Sequence, residues 1–326
     1  VFTPGFTYYT RRLQVQTYDV TSLLRPGTNV LAAVLGDGWY RGKIGVGSKR
    51  NFYGEKTKLA ASLSIVFEDG SEATLTTDAF WKATQNGPIR KSDWKDGEVY
   101  DARQELPGWT TPGYDDGNWH SVLLADSEGD VVPDAGEPVL EKETFTPDVL
   151  TTPDGSTVLD FKQNLFGYVA FDVTGADSHR VTLRHGETLD EHGNFTMKNV
   201  SIQTPFTDAL RQEVVYTLRE GAQHYQPSFT AHGFRYVQLD NWPEPVVPEN
   251  FTAIAVYSDL DELGHFTCSD PAINQLVENS KWSQKGNFMD IPTDCPTRER
   301  AGWSGDIAVF CETGSYLMDS RTFLAK

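Results

Sequence analysis

The chain has 326 residues, room for roughly two or three domains, and its 38% hydrophobic, 12% aromatic and 23% charged residues suit packed modules rather than collagen, coiled coil or bulk disorder. With 28 Lys+Arg against 46 Asp+Glu the formal net charge is −18, which repels phosphate backbones and anionic bilayers, so neither nucleic acid nor a membrane is an expected partner. No apolar run reaches the ~18 residues of a membrane span, and Val1-Phe2-Thr3-Pro4 shows no signal-peptide pattern.

In chain order, residues 1–130 read as a first β-sandwich or jelly-roll-like module. Leu13, Val15 and Thr17 alternate with Gln14, Gln16 and Tyr18 at the period of a half-buried strand. Asn29 to Leu35 is a nearly continuous apolar run, expected as a strand buried on both faces. Leu59 to Phe67, the turn Glu68-Asp69-Gly70 and Ala73 to Thr77 predict a hairpin. Asp126 to Asp134 is acidic and reads as an exposed linker. Residues 136–256 return to strand patterns at Tyr168–Val173, Arg180–Arg184, Gln212–Leu218 and Phe234–Leu239, a second β-sandwich.

From about residue 257 the period changes. Asp270 is placed to cap a helix with Pro271 at its first position, and Ile273, Leu276, Val277 and Ser280 follow on one face. A loop with Pro292 and Pro296 interrupts. A second helix, expected from near Gly305, carries Ile307, Phe310 and Leu317 inward. The fold class is therefore mainly β, two sandwich modules followed by a helical stretch at 257–326. Cys268, Cys295 and Cys311 are too few for a disulfide framework and read as free thiols.

The chemistry concentrates in Asp290-Ile-Pro-Thr-Asp294-Cys-Pro-Thr-Arg298-Glu299-Arg300-Ala-Gly-Trp303-Ser-Gly-Asp306, a proline-stiffened loop between the two helices. Carboxylates held at different depths on such a loop acquire different pKa values, which lets one serve as an acid near neutral pH. Trp303 offers a flat apolar surface for the CH face of a sugar. This pattern suits glycoside hydrolysis. It equally suits a solvated loop whose acids pair with Arg298 and Arg300. The arginines also oppose the acid role, because a flanking cation lowers a carboxylate's pKa.

The stretch DCPTRERAGWSGD resembles the signature of the α-L-rhamnosidases of glycoside hydrolase family 78, one residue shorter between Arg298 and Glu299 than the family's usual form. Leu35-Gly-Asp-Gly-Trp39-Tyr-Arg-Gly42, Gly97-Glu98-Val-Tyr100-Asp101-Ala-Arg103, Val181-Thr-Leu-Arg-His-Gly-Glu187 and Phe229-Thr-Ala-His232-Gly-Phe-Arg235-Tyr-Val237 resemble its β modules, in the right order. The resemblance implies β modules followed by an (α/α)6 barrel that carries the active site. It also implies release of terminal α-L-rhamnose from rhamnosides by inversion, with no cofactor for the chemistry. Carried over by position, Glu299 is the general acid. Asp294 and Asp306 bind sugar hydroxyls, Arg298 and Trp303 line the pocket, and the base is a glutamate further along the barrel.

A twelve-helix barrel needs on the order of 200 residues, and about 70 follow residue 256. The expectation is a piece of a larger enzyme, inactive alone, with its base beyond Lys326 and with strands before Phe2. Helix faces such as those of Ile307 and Phe310 are then expected to lie uncovered and to self-associate. A secondary sugar or calcium site is expected at Trp94, Asp96, Glu98, Tyr100 and Asp101, acids beside aromatics; no other metal is expected. His185 and His232 read as structural. Two other classes remain at this stage, a non-catalytic carbohydrate-binding sandwich and an (α/α)6 glycosidase with another sugar preference. The signature from Asp294 to Asp306 separates the enzymes from the binding module.

Overall fold

The computed structural model describes residues 1–45, 49–126, 129–134, 136–201, 210–243 and 245–326. Up to Ser258 these are strands and turns with short 3-10 segments and one helical turn, Gly38–Arg41; from Pro271 onward they are mainly helical. The change from strand to helix falls where the period of the sequence changes.

The centre is a ten-stranded sheet built around the 19-residue strand Thr157–Gly175. One half of this strand pairs antiparallel with Asp148–Thr151 and His232–Asp240, the other with Gly221–Tyr225 and Phe251–Ser258. A register shift between Asp160 and Leu165, with Lys162 at φ 62°, kinks it where the partners change. Its run Leu165 to Phe171 is buried on both faces, which is why it reads as continuously apolar. Leu165, Val169 and Phe171 join Val181, Leu183, Val214 and Phe234 on one side. Phe166, Tyr168 and Ala170 face Trp39, Trp94 and Met289 on the other. Each such side chain contributes about 1.5–3 kcal/mol by leaving water.

The first stretch of the chain enters this sheet through the hairpin Ile89–Asp93/Gly97–Asp101, whose second strand runs parallel to Glu213–Thr217. Gly97 makes the approach possible: it sits at φ +125°, and a Cβ there would lie 1.7 Å from the Glu213 carbonyl oxygen. The sheet edge therefore holds residues 93–101 against the region that later receives the acid loop.

Three expectations about residues 1–134 need correction. Asn29–Leu35 forms no strand, and Val30, Leu31, Val34 and Leu35 are exposed. Set between Pro26-Gly27 and Gly36, this segment pairs with no strand among the described residues. The strand Arg12–Val15 does form, but Val15 is exposed and its partner is Asp130–Pro133. The expected linker is thus partly a parallel strand; its residues 127–128 lie outside the described residues. The hairpin Ser62–Val66/Glu72–Thr76 forms around Gly70 as the Asp-Gly turn predicts, yet Val66 and Leu75 stay exposed.

In the helical stretch Asp270 Oδ1 accepts the Ala272 N–H at 2.9 Å and caps the helix Pro271–Asn287, with Pro271 leading. The buried face of this helix is not the apolar one. Lys281, Gln284, Lys285 and Gly286 turn inward, and Lys285 Nζ reaches Glu143 at 2.7 Å and Glu262 at 2.8 Å. In the helix Ser304–Leu317, Ile307, Phe310 and Leu317 are half-buried against Leu260, Phe288, Met318 and Phe323. Within these two helices the exposed large apolar side chains are therefore Ile273, Leu276, Val309 and Tyr316, not Ile307 and Phe310. No helix among the described residues is long and apolar enough to cross a membrane.

Candidate active site

The loop between the two long helices is closed by reciprocal bonds. Asp294 N–H donates to the Ala301 carbonyl at 3.0 Å, and Ala301 N–H donates to Asp294 Oδ1 at 3.0 Å. Thr293 N–H donates to the Asn287 carbonyl at 2.9 Å and ties the loop to the end of its helix. Within the closed segment Glu299 N–H donates to Cys295 Sγ at 3.3 Å.

The Glu299 carboxyl is shared between two neighbours. Trp303 Nε1–H donates to its Oε2 at 2.9 Å, and Asp294 hydrogen-bonds it carboxyl to carboxyl. Two carboxyls in that contact cannot both ionise easily, so the bond to Asp294 and then burial push the Glu299 pKa up; the Trp303 bond pulls the other way. Arg298, exposed, lowers it only weakly. Arg300 points in the opposite direction, into the sheet, at 1% exposure. The conflict posed by two flanking arginines is thus resolved by the backbone, which sends one to solvent and the other into the core.

Asp294, Trp303 and Asp306 line a cleft of about 560 Å3 together with Asn287, Phe288 and Phe310. Asp306 stands exposed in the first turn of Ser304–Leu317. Glu299 adjoins the cleft through its bonds to Asp294 and Trp303, whereas Arg298 is not among the lining residues. The arrangement offers a carboxyl whose pKa is raised, a donor able to stabilise it once ionised, and two further carboxylates lining the cleft.

The other expected site is not gathered. Trp94 is buried against Phe2, Trp39 and Phe166. Asp96 pairs with Lys43 at 2.8 Å. Glu98, buried, accepts from the Tyr225 hydroxyl and from the Ser228 and Phe229 N–H groups. Tyr100 stacks on Tyr216 and donates to Glu105 Oε1 at 3.1 Å. Asp101 grips Arg103 with both oxygens. Trp94 and Asp96 lie in the turn between the strands, Glu98 and Tyr100 share one strand face against Tyr225, and Asp101 falls on the other; among the described residues no group of three or more His, Cys, Asp or Glu is placed to hold a metal ion.

The sequence reading missed two cations beneath the loop. Lys95 is fully buried and donates from Nζ to the Glu299 carbonyl at 3.2 Å; Arg300 donates to the Trp94 and Ala231 carbonyls. Their only sequence signal is adjacency, Arg300 to the acid and Lys95 to a tryptophan.

Comparison with known proteins assigns the family. Residues 1–143 match the α-L-rhamnosidase N-terminal domain, 150–257 the bacterial α-L-rhamnosidase concanavalin-like domain, and 261–326 the bacterial α-L-rhamnosidase 6 hairpin glycosidase domain. The chain belongs to the α-L-rhamnosidase family. An α-L-rhamnosidase of Streptomyces avermitilis is 40% identical over 328 residues, covering 99% of this chain and 31% of the relative. One from an Alteromonas species is 36% identical over 98% of this chain and 35% of its own length. The crystal structure of the S. avermitilis α-L-rhamnosidase complexed with L-rhamnose superposes with a TM-score of 0.91 at 36% identity, over 99% of this chain and 31% of that one. The native Aspergillus terreus enzyme gives 0.87 at 39%, over 99% and 37%. The chain spans about a third of the length of these relatives.

Proposed function

We propose that this chain is the part of an inverting α-L-rhamnosidase that supplies its general acid, Glu299, and one wall of the pocket for a terminal α-L-rhamnosyl group. The observation that carries the reading is the Asp294–Glu299 hydrogen bond, which raises the Glu299 pKa, the direction a general acid needs. Glu299 gives that proton to the leaving oxygen as the glycosidic bond breaks. The Trp303 N–H, already on Oε2, then stabilises the carboxylate that forms. Asp294 and Asp306 accept hydrogen bonds from sugar hydroxyls, and the Trp303 ring lies against the sugar's CH face.

Inversion needs a second carboxylate about 6.5–9.5 Å from the acid, with a water between the base and the sugar. Asp294 touches Glu299, which leaves no room for that water. Asp306 stands in the first turn of the helix that follows the acid loop directly. The base therefore comes from elsewhere in the protein, and the 326-residue chain alone turns nothing over.

In the complete enzyme, Glu299→Gln should abolish hydrolysis of rhamnosides with poor leaving groups and spare, in part, an aryl rhamnoside whose phenol is strongly acidic. Equal losses on both would remove Glu299 as the acid. Sustained release of nitrophenol from nitrophenyl α-L-rhamnoside by this chain alone, above a Glu299→Gln control, would show that it contains its own base.

A further inference from the structure

We infer that Arg300 is a positioning residue for the acid: its buried guanidinium, with the Lys95 ammonium beside it, anchors the Glu299 loop on the sheet, so that the β region sets the geometry of proton transfer. The inference rests on the reading of Glu299 as the acid.

Arg300 is among the largest fully buried side chains, on a backbone at φ 48°. Nη1 donates to the Trp94 carbonyl at 2.6 Å and to the Ala231 carbonyl at 2.7 Å, and Nη2 donates to Gln212 Oε1 at 3.0 Å. The guanidinium lies 5.6 Å from the Trp94 ring centre and 5.3 Å from that of Phe166. These acceptors are neutral, and they come from three segments that meet only in the folded sheet. An apolar side chain would fill this space at lower desolvation cost. What a guanidinium adds is a rigid fork of donors, which fixes direction as well as contact.

The neighbouring contacts share this pattern. Lys95 Nζ donates to the Gly45 carbonyl at 3.1 Å and to the Glu299 carbonyl at 3.2 Å, so a β-turn residue holds the backbone of the acid itself. Burial, helped by the charge of Arg300, brings the Lys95 pKa down to about 8, the mark of an amine kept inside for its bonds. On the other flank the loop presses on Gly233: a Cβ there would stand 2.6 Å from Thr297 Cγ2 and 3.0 Å from Pro296 Cβ. Residues 296, 297, 299 and 300 thus rest on the sheet. The Arg298 side chain points away from it, and the Glu299 carboxyl reaches Asp294 and Trp303. Misplacing a catalytic group by about 1 Å can cost on the order of 100-fold in rate.

The test uses the complete enzyme, a series of aryl α-L-rhamnosides of graded leaving ability, and the variants Arg300→Met, Lys95→Met and Glu299→Gln. Arg300→Met should lower kcat for the poorest leaving group by about 100-fold and for the most activated one far less, with KM changed by less than about threefold. The alkaline limb of its kcat profile should move to lower pH, because a released loop weakens the Asp294 bond that holds the Glu299 proton. Lys95→Met, whose apolar stem fills the same space, should move both readouts the same way by several-fold less, and it carries the test if Arg300→Met does not fold. Equal losses across the series, with an unshifted limb and a lowered melting temperature, would reduce both residues to structural supports and overturn the inference. Glu299→Gln separates the two readings. If it spares the poor leaving groups, the acid assignment fails; if it is selectively damaging while both anchor variants are not, only the positioning role falls.

Discussion

Residues 93–101 and 290–306 look alike in composition, acids set among aromatics, and the fold uses them in opposite ways. In the first segment every carboxylate is already engaged. Asp93 accepts the Lys95 and Asp96 N–H groups and pairs with Arg50, Asp96 holds Lys43, and Glu98 gathers a tyrosine and two backbone donors. In the second, Asp294, Glu299 and Asp306 stand at a cleft, and two of them share a hydrogen bond that raises a pKa. The difference teaches that an acid's role follows from whether cations and N–H groups reach it before a ligand can. A hairpin packed onto a sheet edge meets such partners from neighbouring segments, whereas a proline-stiffened loop at a helix end leaves one side open.

Four measurements break or sharpen that contrast. The largest effect is expected from the engaged segment: Asp96→Asn leaves Lys43 buried without its counter-charge, at about 3–5 kcal/mol in a urea melt. Turnover per folded molecule should hardly change; a rate loss without a stability loss would place Asp96 at the site instead.

The next tests the ground between the two segments, where His185 and His232 stack at 4.5 Å beside Arg300. Burial holds His185 at a pKa of about 4 and His232 well below its ordinary value. Between pH 6.5 and 4 the unfolded chain therefore takes up protons that the fold refuses, so stability is complete above pH 6.5 and declines as the pH falls. His185 alone should contribute a loss of about 3 kcal/mol across that window. Melting temperatures from pH 7 to 4.5 should show the slope, and His185→Gln should make it shallower, leaving the part due to His232.

The open segment should respond in rate rather than stability. Asp294→Asn keeps the acceptor for the Ala301 N–H but removes the acid partner of Glu299. In the complete enzyme kcat should drop on the order of 100-fold and its alkaline limb should move to lower pH, with the melt within about 1 kcal/mol of the parent. The smallest effect belongs to Trp303→Phe. Loss of the N–H that favours the ionised acid should shift the alkaline limb slightly upward, opposite in sign to Asp294→Asn. A shift of the same sign would contradict the hydrogen-bond pattern around Glu299.

Much of the site was legible before any fold was known, because its signals are local. Pro292, Pro296, the cap at Asp270-Pro271 and the spacing of Asp294, Glu299 and Trp303 all lie within a short span, and the structure brings Asp294, Glu299 and Trp303 into contact. The secondary site at Trp94–Asp101 was misread because its partners, Lys43, Tyr225, Phe229 and Tyr216, arrive from distant strands. Asn29–Leu35 was misread for a related reason: an apolar run records a tendency to be buried, and burial needs a neighbour that composition does not supply.

Sequence by itself determined the elements whose causes are short-range: the mainly β course to Ser258, the Asp-Gly hairpin, the capped helix Pro271–Asn287 and the acid loop after it. Tertiary structure alone decided which of the two arginines flanking Glu299 meets solvent and which lies in the core. It likewise decided that Asp294 reaches Glu299 and that Lys95 and Arg300 fasten the loop to the sheet. The physical reason is that the groups tuning the Glu299 pKa, Asp294, Trp303 and Arg298, lie within five residues of it, whereas the anchors join residues far apart in the chain: Lys95 to the Glu299 carbonyl, and Arg300 to Trp94, Ala231 and Gln212.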